Sequence, residues 1–430
     1  MEFKKITVGN FAENLDRFRI PLSSAEREKK RGKYPYYGAA KIIDYVDGFT
    51  HSGLSVLIAE DGSVETDKGY PVVQLANGEY WVNNHTHVLK GKNDWDTLYL
   101  YYALQIIKVS PFVTGAVQKK ISQKALNSME LNYFEDPMIR RKIVESLLGL
   151  DKKIELNTQI NQTLEQIAQT IFKSWFIDFD PVHAKANALA SGQTLEQATQ
   201  AAMAVISGKN TQELHRLQTA NPEQYQQLWE IAEAFPSGFD EEGVPWGWES
   251  KPLDEIAIYQ NGLALQKFRP ESEDEYLPIV KIAQLKQGYA DGKEKASVNI
   301  KPECIIDNGD VIFSWSGSLV VDIWCGGKAA LNQHLFKVTS KNYPKWLYYF
   351  YTVHHLAEFQ RIAADKAVTM GHIKREHLSL ALCVIPNNEF IQKFCFLEDY
   401  ISQIVNNRLQ NVSLIKIRDE LLPKLLSGEV

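Results

Sequence analysis

The chain contains 430 residues, of which 44% are hydrophobic, 11% aromatic and 23% charged, and its net charge is -6. This composition supports packed cores and excludes wholesale disorder, and the length predicts two or three domains. No apolar run approaches the roughly 20 residues of a membrane span, the N-terminus lacks a signal-peptide layout, and the four cysteines form no CxxC pair, so we expect a cytoplasmic protein with no membrane partner.

The negative charge lies in the middle of the chain. Residues 181–250 carry 3 basic and 9 acidic residues, so their net charge of -6 equals that of the whole chain. The large segments on either side are near neutral. Bulk charge therefore does not indicate nucleic-acid binding, and a chain of this charge that binds DNA tightly would depend on partner subunits to neutralise phosphates.

Residues 1–135 are predicted to form a mixed α and β globule. Strands are indicated by the short β-branched and aromatic segments SVLIAED, PVVQL and YWVNNHTHVL, which are punctuated by Gly, Asp and Asn. Trp95–Lys108 is predicted to be a helix.

Residues 136–180 are predicted to contain one long helix, from Met138 to Trp175. Apolar side chains recur there with alternating steps of four and three residues, which is the period of a helix–helix seam. The seam positions include Leu147, Leu150, Ile154, Asn157, Asn161 and Leu164. A buried Asn at such a position costs stability but fixes the register or the partner. The alternative is that the seam faces solvent at Asn157 and Asn161.

The remaining segments repeat this order after a linker. Residues 181–247 contain an Ala/Gln-rich stretch that is predicted to form short helices, followed by the Pro/Gly-punctuated segment FPSGFDEEGVPWGW. Residues 248–387 are predicted to form a second mixed globule, with strands DVIFSW and HLFKVT and a helix over Trp346–Ala363. Residues 388–430 carry a second helical stripe. Its members are Phe390, Phe394, Leu397, Ile401, Val405, Leu409 and Val412.

Landmarks of the first globule recur in the second in the same order, about 250 residues later. VLIAEDG corresponds to VIFSWSG, WVNNHTHVLK corresponds to ALNQHLFKV, and GAVQKKIS corresponds to KAVTMGHIK. The period is too long for a solenoid and indicates two copies of one domain. We therefore predict an α+β protein in which two similar mixed globules are each followed by a long helix, with the two helices paired as an antiparallel coiled coil.

The sequence carries no convincing catalytic motif. The closest string to the Asp/Asn-Pro-Pro-aromatic loop of an amine methyltransferase is NPEQY, which lacks the second Pro, and no Gly-rich loop suits adenosylmethionine or a nucleotide phosphate. The histidines show no metal-ligand spacing. We therefore assign neither a catalytic residue nor a metal site to this chain.

Aromatic and polar residues of two segments are candidates for contact with DNA. Tyr36 and Tyr37 lie beside basic residues, where they either face DNA or pack the strand that follows. Asn84 and His85 recur as Gln333 and His334. Asn and Gln can read adenine bidentately, but such side chains can equally satisfy backbone groups of a turn.

A third candidate segment differs between the copies. The first copy places Gln118, Lys119 and Lys120 there, and the second places Thr369, His372, Lys374 and Arg375. Unlike side chains on one scaffold are what two readers of different short sequences require. The alternative is a solvated loop without a function.

The order globule, helix, globule, helix resembles the specificity subunit of type I restriction–modification systems. The resemblance covers nearly the whole chain and is most specific in FKSWFIDFDPV at the end of the first helix and in LLPKLLSG near the C-terminus. Each globule looks like a target recognition domain and each long helix like a conserved spacer region. The Ala/Gln-rich stretch from Ala184 to Glu233 is longer than such a linker requires.

The resemblance implies that the chain is non-catalytic by itself. Its implied partners are double-stranded DNA with a bipartite target, two methyltransferase (modification) subunits, and restriction subunits that act as helicase and nuclease. It implies no cofactor on this chain, with adenosylmethionine, ATP and Mg bound by the partner subunits. Two other hypotheses remain open from the residues alone, namely a self-contained enzyme with unrecognised motifs and a scaffold that binds only proteins.

Overall fold

The computed structural model describes residues 2–115, 118–272, 274–365 and 371–429. The chain forms two compact units. Unit 1 consists of Met1–Leu156 and Asn411–Val430, and unit 2 consists of Asn157–Gln410. Among the described residues, no helix is both long enough and apolar enough to cross a membrane.

Unit 1 is built mainly of short strands. Its strands are β1 (Lys4–Thr7), β2 (Glu13–Asn14), β3 (Arg31–Tyr37), β4 (Ile42–Val46), β5 (His51–Ser52), β6 (Ser55–Ala59), β7 (Val73–Ala76), β8 (Glu79–Val82), β9 (Thr86–Lys90), β10 (Val113–Thr114), β11 (Lys120–Ile121) and β12 (Glu130–Tyr133). Its helices are α1 (Val8–Phe11), α2 (Ser24–Lys29), α3 (Asp94–Leu104), α4 (Gln123–Ser128) and the start of α5 (Pro137–Phe172), whose remainder lies in unit 2. Helices α3 and α5 contribute to the main buried core of unit 1.

Unit 2 begins with helices and continues with strands. Its strands are β13 (Glu249–Pro252), β14 (Ile258–Asn261), β15 (Leu277–Val280), β16 (Lys295–Ala296), β17 (Ile305–Ile306), β18 (Val311–Ser314), β19 (Val321–Ile323), β20 (Ala329–Leu331), β21 (Leu335–Thr339) and β22 (Leu382–Ile385). Its helices are α6 (Asp180–Ala190), α7 (Leu195–Ser207), α8 (Thr211–Ala220), α9 (Pro222–Ala234), α10 (Leu253–Ile256), α11 (Ile282–Gln287), α12 (Lys345–Asp365), α13 (Arg375–Leu380), α14 (Asn388–Lys393) and α15 (Phe396–Leu426), whose C-terminal part belongs to unit 1.

The two units have the same sheet topology. Unit 1 contains sheets of order β2-β9-β6-β7 and β4-β3-β8-β5, and unit 2 contains sheets of order β14-β21-β18-β19 and β16-β15-β20-β17. In each second sheet the central pair is parallel, namely β3 with β8 and β15 with β20. The strands correspond one to one in chain order, which confirms the predicted internal repeat.

The strand pairing fixes which residues of the two copies are equivalent. Ala59 pairs with Thr86 between β6 and β9, and Ser314 pairs with Leu335 between β18 and β21. Both β6 and β18 lie inside their sheets, so all their side chains are buried. The segment YWVNNHTHVL, predicted as one strand, is instead two strands, β8 and β9, separated by a turn at residues 83–85.

The long helices pair in an antiparallel manner within each unit. In unit 1, Ile143 and Leu147 share a buried cluster with Leu422 and Leu425, so the start of α5 lies beside the end of α15. There, Arg418 Nη1 donates to Asp151 Oδ1 at 2.8 Å. This confirms the predicted antiparallel coiled coil.

In unit 2 the seam is held by buried amides. Asn407 Nδ2 donates to Asn161 Oδ1 at 2.8 Å, and Asn161 Nδ2 donates to the Ile404 carbonyl at 3.1 Å. Asn157 Nδ2 donates to Gln410 Oε1 at 2.7 Å. Asn157 and Asn161 are both buried, which contradicts the alternative of a solvent-facing seam.

The other predicted seam residues differ in burial, and the second helix begins later than its stripe suggested. Leu147, Leu397 and Ile401 are buried, whereas Leu150, Ile154, Leu164, Val405 and Leu409 are half-buried. The predicted stripe from Phe390 is interrupted, because α14 ends at Lys393 and α15 begins at Phe396. Val412 is 52% exposed, so its assignment to the seam was wrong. The seam in that turn is occupied by the amide of Asn411, which donates to the Ile154 carbonyl.

The Ala/Gln-rich stretch is a small helical layer with its own core. Helices α7 to α9 enclose Ala202, Met203, Leu214 and Ala232. The Lys185 ammonium is buried and donates to the Phe235 carbonyl at 2.6 Å and to the Glu233 carbonyl at 3.1 Å, at the end of α9. A cation there satisfies carbonyls that the helix leaves unpaired.

Candidate nucleic-acid interface

Three segments of unit 1 converge where β6 ends. The Glu60 amide donates to the His85 carbonyl at 2.9 Å, and the Ile121 amide donates to the Glu60 carbonyl at 2.8 Å. Asp61 and Lys120 form an isolated antiparallel bridge. The structure therefore brings together two candidate segments that are about 35 residues apart in the sequence.

The same convergence occurs in unit 2 where β18 ends. The Trp315 amide donates to the His334 carbonyl at 3.3 Å, and the Ile373 amide donates to the Trp315 carbonyl at 3.0 Å. Ser316 and His372 form the bridge that corresponds to the one in unit 1. We call these two places the first and second strand-end junctions, and each is defined by its bridge.

The backbone of the two junctions is supported by the same residue type. Asn83 Oδ1 accepts from the His85 amide at 2.9 Å, and Asn332 Oδ1 accepts from the His334 amide at 3.2 Å. Both asparagines are buried. This supports the interpretation that matched positions maintain the fold.

The histidines of the two junctions have different partners. His85 Nδ1 lies 2.8 Å from Asp61 Oδ1, whereas His334 Nδ1 lies 2.9 Å from Ser316 Oγ. A carboxylate can only accept a hydrogen bond, but a hydroxyl can donate or accept. At the first junction, His85 Nδ1 must therefore carry the hydrogen and donate it to Asp61. At the second junction, His334 Nδ1 can either donate to the Ser316 hydroxyl or accept from it.

The two lysines of the first junction are paired with acids. Lys119 Nζ contacts Glu65, and Lys120 Nζ lies 3.1 Å from Glu60 Oε1. Both lysine side chains remain about half exposed. Gln118 is exposed. The lysines can therefore exchange their acidic partners for phosphates, which would leave Glu65 without this ion pair while Glu60 keeps its contact with Arg19.

A buried charge network lies beneath the first junction. Asp16, Glu60 and His87 offer ligand atoms within 4.8 Å of one another, and they form the sole group with metal-ligand chemistry in the described part of the chain. Arg19 Nη1 lies 2.6 Å from Glu60 Oε2, and Lys120 lies on the other carboxylate oxygen. Because the side chains of Arg19 and Lys120 already contact the carboxylate oxygens of Glu60, we interpret the group as an internal network of ion pairs.

Hydrogen bonds set the ionisation of this network. Burial alone would raise the pKa of Asp16, but hydrogen bonding from His87, at 2.6 Å, and from the Val88 amide holds that pKa below its usual value. Burial would likewise raise the pKa of Glu60, but the hydrogen bond from Arg19, the nearby His87 and the hydrogen bond from Lys120 together lower it. Both carboxylates are therefore charged at neutral pH.

The second junction replaces this network with aromatic rings. By the strand pairing, Trp315 and Phe336 occupy the positions of Glu60 and His87. Trp315 and Phe336 have ring centroids 5.9 Å apart, and the Arg375 guanidinium lies 5.6 Å from the Phe336 ring. The unlike residues at these matched positions make the two junctions chemically distinct.

The other predicted residues of unit 2 lie around the second junction. Gln333 is half-buried, with Nε2 3.4 Å from His334 Nε2, and His372 is exposed. Lys374 is exposed and lies 3.4 Å from Glu376, while Arg375 Nη2 donates to the Tyr259 carbonyl. Thr369 lies outside the described residues.

The tyrosines near Arg31 do not form the predicted exposed edge. Tyr36 is 1% exposed, and its hydroxyl accepts from the Leu22 amide at 2.9 Å. Tyr37 is half-buried and packs edge-to-face on Tyr80. β3 is an inner strand of its sheet, so these side chains pack inward, and the prediction that Tyr36 faces DNA was wrong. Asn84, in contrast, is exposed as a ligand to DNA would be.

Sequence reasoning missed Glu60, Asp61 and their counterparts in the second copy. The signal was present, because Asp61 and Ser316 stand at the same position of the repeated strings VLIAEDG and VIFSWSG. Residues that interrupt an otherwise matched motif at the end of a strand were the available indication.

Comparison with known proteins identifies the family. The family described as "Type I restriction modification DNA specificity domain" matches residues 1–166 and 245–413. These two stretches contain the two repeated sheet regions, and together they make up most of the chain. The chain therefore belongs to the type I restriction–modification DNA specificity family. As a specificity subunit it is the DNA-recognition component of its system and not the catalytic one.

Individual relatives agree with this placement. The type I restriction enzyme HindI specificity subunit of Haemophilus influenzae is 32% identical over 329 residues, which cover 72% of this chain and 71% of that protein. The MjaIX specificity subunit of Methanocaldococcus jannaschii is 25% identical over 77% of this chain and 68% of that protein. The crystal structure of the type I S subunit from M. genitalium has a TM-score of 0.53 and 14% identity, covering 99% of this chain and 96% of that one, and it shows a shared fold.

Proposed function

We propose that this chain reads a bipartite target in double-stranded DNA, with each unit reading one half through its strand-end junction. One observation carries the proposal: two units of identical strand order present unlike side chains at equivalent positions, Asp61 and Lys120 in one and Ser316 and His372 in the other. A conserved backbone with variable side chains is what two readers of different base sequences require.

We further propose that the paired helices hold two modification subunits, which methylate adenine, and that restriction subunits join this complex. Support comes from branched apolar side chains on the helix surfaces. Ile160 and Ile167 are exposed on α5, and Val412, Ile415 and Ile417 are exposed on α15. Residues seven or three apart lie on one face of a helix, so Ile160 with Ile167, and Val412 with Ile415, form exposed apolar stripes of the kind that mark a protein contact.

The cofactors of the reaction belong to those partners in this proposal. Adenosylmethionine is assigned to the modification subunits, and ATP and Mg to the restriction subunits. The complex is placed in the cytoplasm, in agreement with four unpaired cysteines, three of them buried. Titration of adenosylmethionine should release heat only when modification subunits are present.

The reading proposal is tested by making the first junction resemble the second. Asp61→Ser with Lys120→His gives the first copy the bridge residues of the second. Methylation-site profiling of the chain assembled with modification subunits should then show altered base tolerance in one half of the target only. The control Lys124→Gln removes an exposed charge on α4, close in sequence but outside the bridge, and should leave the profile unchanged.

Three outcomes contradict the proposal. Changes in both halves would show that the units do not read independently, and no change would remove the junction from the reading surface. Absence of any sequence-dependent DNA binding by the assembled complex would favour a scaffold that binds only proteins.

For docking, Ile167→Gln should weaken retention of modification subunits without changing the melting temperature, because this side chain is 42% exposed.

A further inference from the structure

A basic segment on the first unit has a chemically opposite counterpart on the second. Tyr34 pairs with Val46 between β3 and β4, and Leu277 pairs with Ala296 between β15 and β16, so the residues that precede Tyr34 and Leu277 correspond. The first copy has KKRGK at residues 29–33, and the second has SEDEY at residues 272–276. The first string carries four positive charges and the second carries three negative charges.

Local backbone geometry exposes the basic residues. Arg31 and Tyr34 both pair with Val46, so Gly32 and Lys33 form a bulge in β3. A Cβ on Gly32 would lie 2.4 Å from the Val46 carbonyl oxygen, so the bulge requires glycine at this position. Arg31 and Lys33 are both exposed in this part of β3.

The basic character extends over the surrounding elements. Residues 16–46 contain 8 basic and 4 acidic residues, whereas the equivalent residues 261–296 contain 6 of each. Lys29, Lys30 and Lys41 are exposed, as are Arg31 and Lys33. In a chain of net charge -6, such a local excess of positive charge produces a directed electrostatic field toward an anionic partner.

We propose that this basic bulge, residues 29–33, binds DNA phosphates, so that the first unit supplies more of the sequence-independent attraction than the second. The inference rests on the proposed DNA-reading function and assigns the two units unequal electrostatic roles. Phosphate contacts orient a protein on the duplex without reading bases. The neighbouring exposed residues Ile42, Ile43 and Tyr45 of the edge strand would suit a protein partner, but the positive charge favours DNA.

The test is the salt dependence of DNA binding by the chain assembled with modification subunits. The variant combines Lys29→Gln, Arg31→Gln and Lys33→Gln. Each phosphate contact contributes about 0.9 to the slope of log affinity against log salt concentration, so loss of three contacts should reduce the slope by about 2.7. The bases recognised should not change.

The matched control also removes three exposed positive charges. It combines Arg216→Gln, Lys328→Gln and Lys341→Gln, all in unit 2, and its slope should stay within about one of the parent value. Equal melting temperatures of parent and variants establish that folding is intact. A further variant, Asp274→Lys with Glu275→Lys, places positive charge on the equivalent segment of the second unit and should raise the slope of the triple variant again, because that segment has the equivalent place in a unit of the same strand order.

Other results overturn the inference. An unchanged slope in the triple variant shows that the bulge does not contact phosphates. Loss of modification subunits at constant DNA affinity shows that it is a protein-docking surface, and altered base preference shows that it reads sequence. If the parent complex itself shows no sequence-selective binding, the proposed function fails first, and this result is distinct from an unchanged slope in a parent that does bind selectively.

Discussion

The buried Asn161–Asn407 pair permits a quantitative prediction about the helix seam. Asn161 Oδ1 accepts from Asn407 Nδ2 at 2.8 Å, and both side chains are at most 7% exposed. Asn407→Leu removes the donor and leaves the Asn161 oxygen buried without its partner. A buried unsatisfied polar group costs about 1–3 kcal/mol, so the free energy of unfolding should fall by about that amount.

The double variant distinguishes this reasoning from a simple loss of contacts. Asn161→Leu alone should also cost about 1–3 kcal/mol, because it leaves the side-chain amide of Asn407 buried without its acceptor. Replacing both asparagines with Leu removes both polar groups, and the resulting apolar pair should be nearly neutral or stabilising. The double variant should therefore be more stable than either single variant, and the coupling energy should approach the sum of the two single costs, about 2–6 kcal/mol.

Asn406 provides the matched control. It is adjacent in sequence and exposed, so Asn406→Leu should change the free energy of unfolding by less than about 0.5 kcal/mol. The assay is denaturant unfolding of the purified chain followed by circular dichroism, with equal m-values required for comparison. Additive effects of the two single variants would refute the reasoning, since they would show that the two amides do not satisfy each other.

Three further predictions concern the seam, the charge network and base reading. Ile401→Asp should cost about 3–5 kcal/mol because it buries an unpaired charge, whereas Ile167→Asp, at an exposed position, should cost less than about 0.5 kcal/mol in thermal or denaturant unfolding. Asp16 has a lowered pKa, so its contribution to stability is present above the unfolded value near 4 and is lost as pH falls below it, and the difference in unfolding free energy between the parent and Asp16→Asn should shrink as pH is lowered from 7 to 3. In methylation profiling of the assembled complex, Gln118→Ala should relax base choice at one position, whereas Lys119→Ala should weaken all sequences alike and reduce the salt slope.

The sequence was sufficient for the architecture because the architecture is encoded by periodic and repeated patterns. The heptad spacing around Asn157 and Asn161 predicted a paired helix, and the same spacing near Leu397 predicted its partner. Three motifs in constant order predicted two copies of one domain. These signals are redundant, since many residues must agree for a seam or a repeat to exist.

The exposure of Arg31 and Lys33 and the burial of Tyr36 were not predictable in the same way, because they depend on how β3 pairs with its neighbouring strands. The string RGKYPYYGA places Tyr36 and Tyr37 on a predicted turn beside basic residues, and on that basis they were candidates either for contact with DNA or for packing the strand that follows. In the structure, Gly32 and Lys33 form a bulge in the exposed first part of β3, whereas Tyr36, further along the same strand, is buried. A bulge depends on a partner strand, and the sequence of one strand does not reveal it.

The charge network was invisible in the sequence for a related reason. Asp16, Glu60 and His87 are 44 and 27 residues apart in sequence, and each is an unremarkable residue in its own segment. They meet because β2, β6 and β9 are neighbours in one sheet. Only the strand order supplies that information.

The comparison of the two copies separates residues that build the junctions from residues that differentiate them. Asn83 and Asn332 make the same hydrogen bond to the second residue after them, so this interaction belongs to the shared backbone. Glu60 and Trp315 occupy equivalent positions in the two copies, yet Glu60 forms an ion pair with Arg19 whereas Trp315 packs against Phe336. A substitution at the shared Asn should therefore affect stability in either copy, whereas a substitution at position 60 or 315 should affect one junction only. Specificity can therefore change through a few positions at the strand ends, because the hydrogen bonds that hold the junction together come from the backbone and from the shared Asn and do not depend on the side chains at the positions that differ.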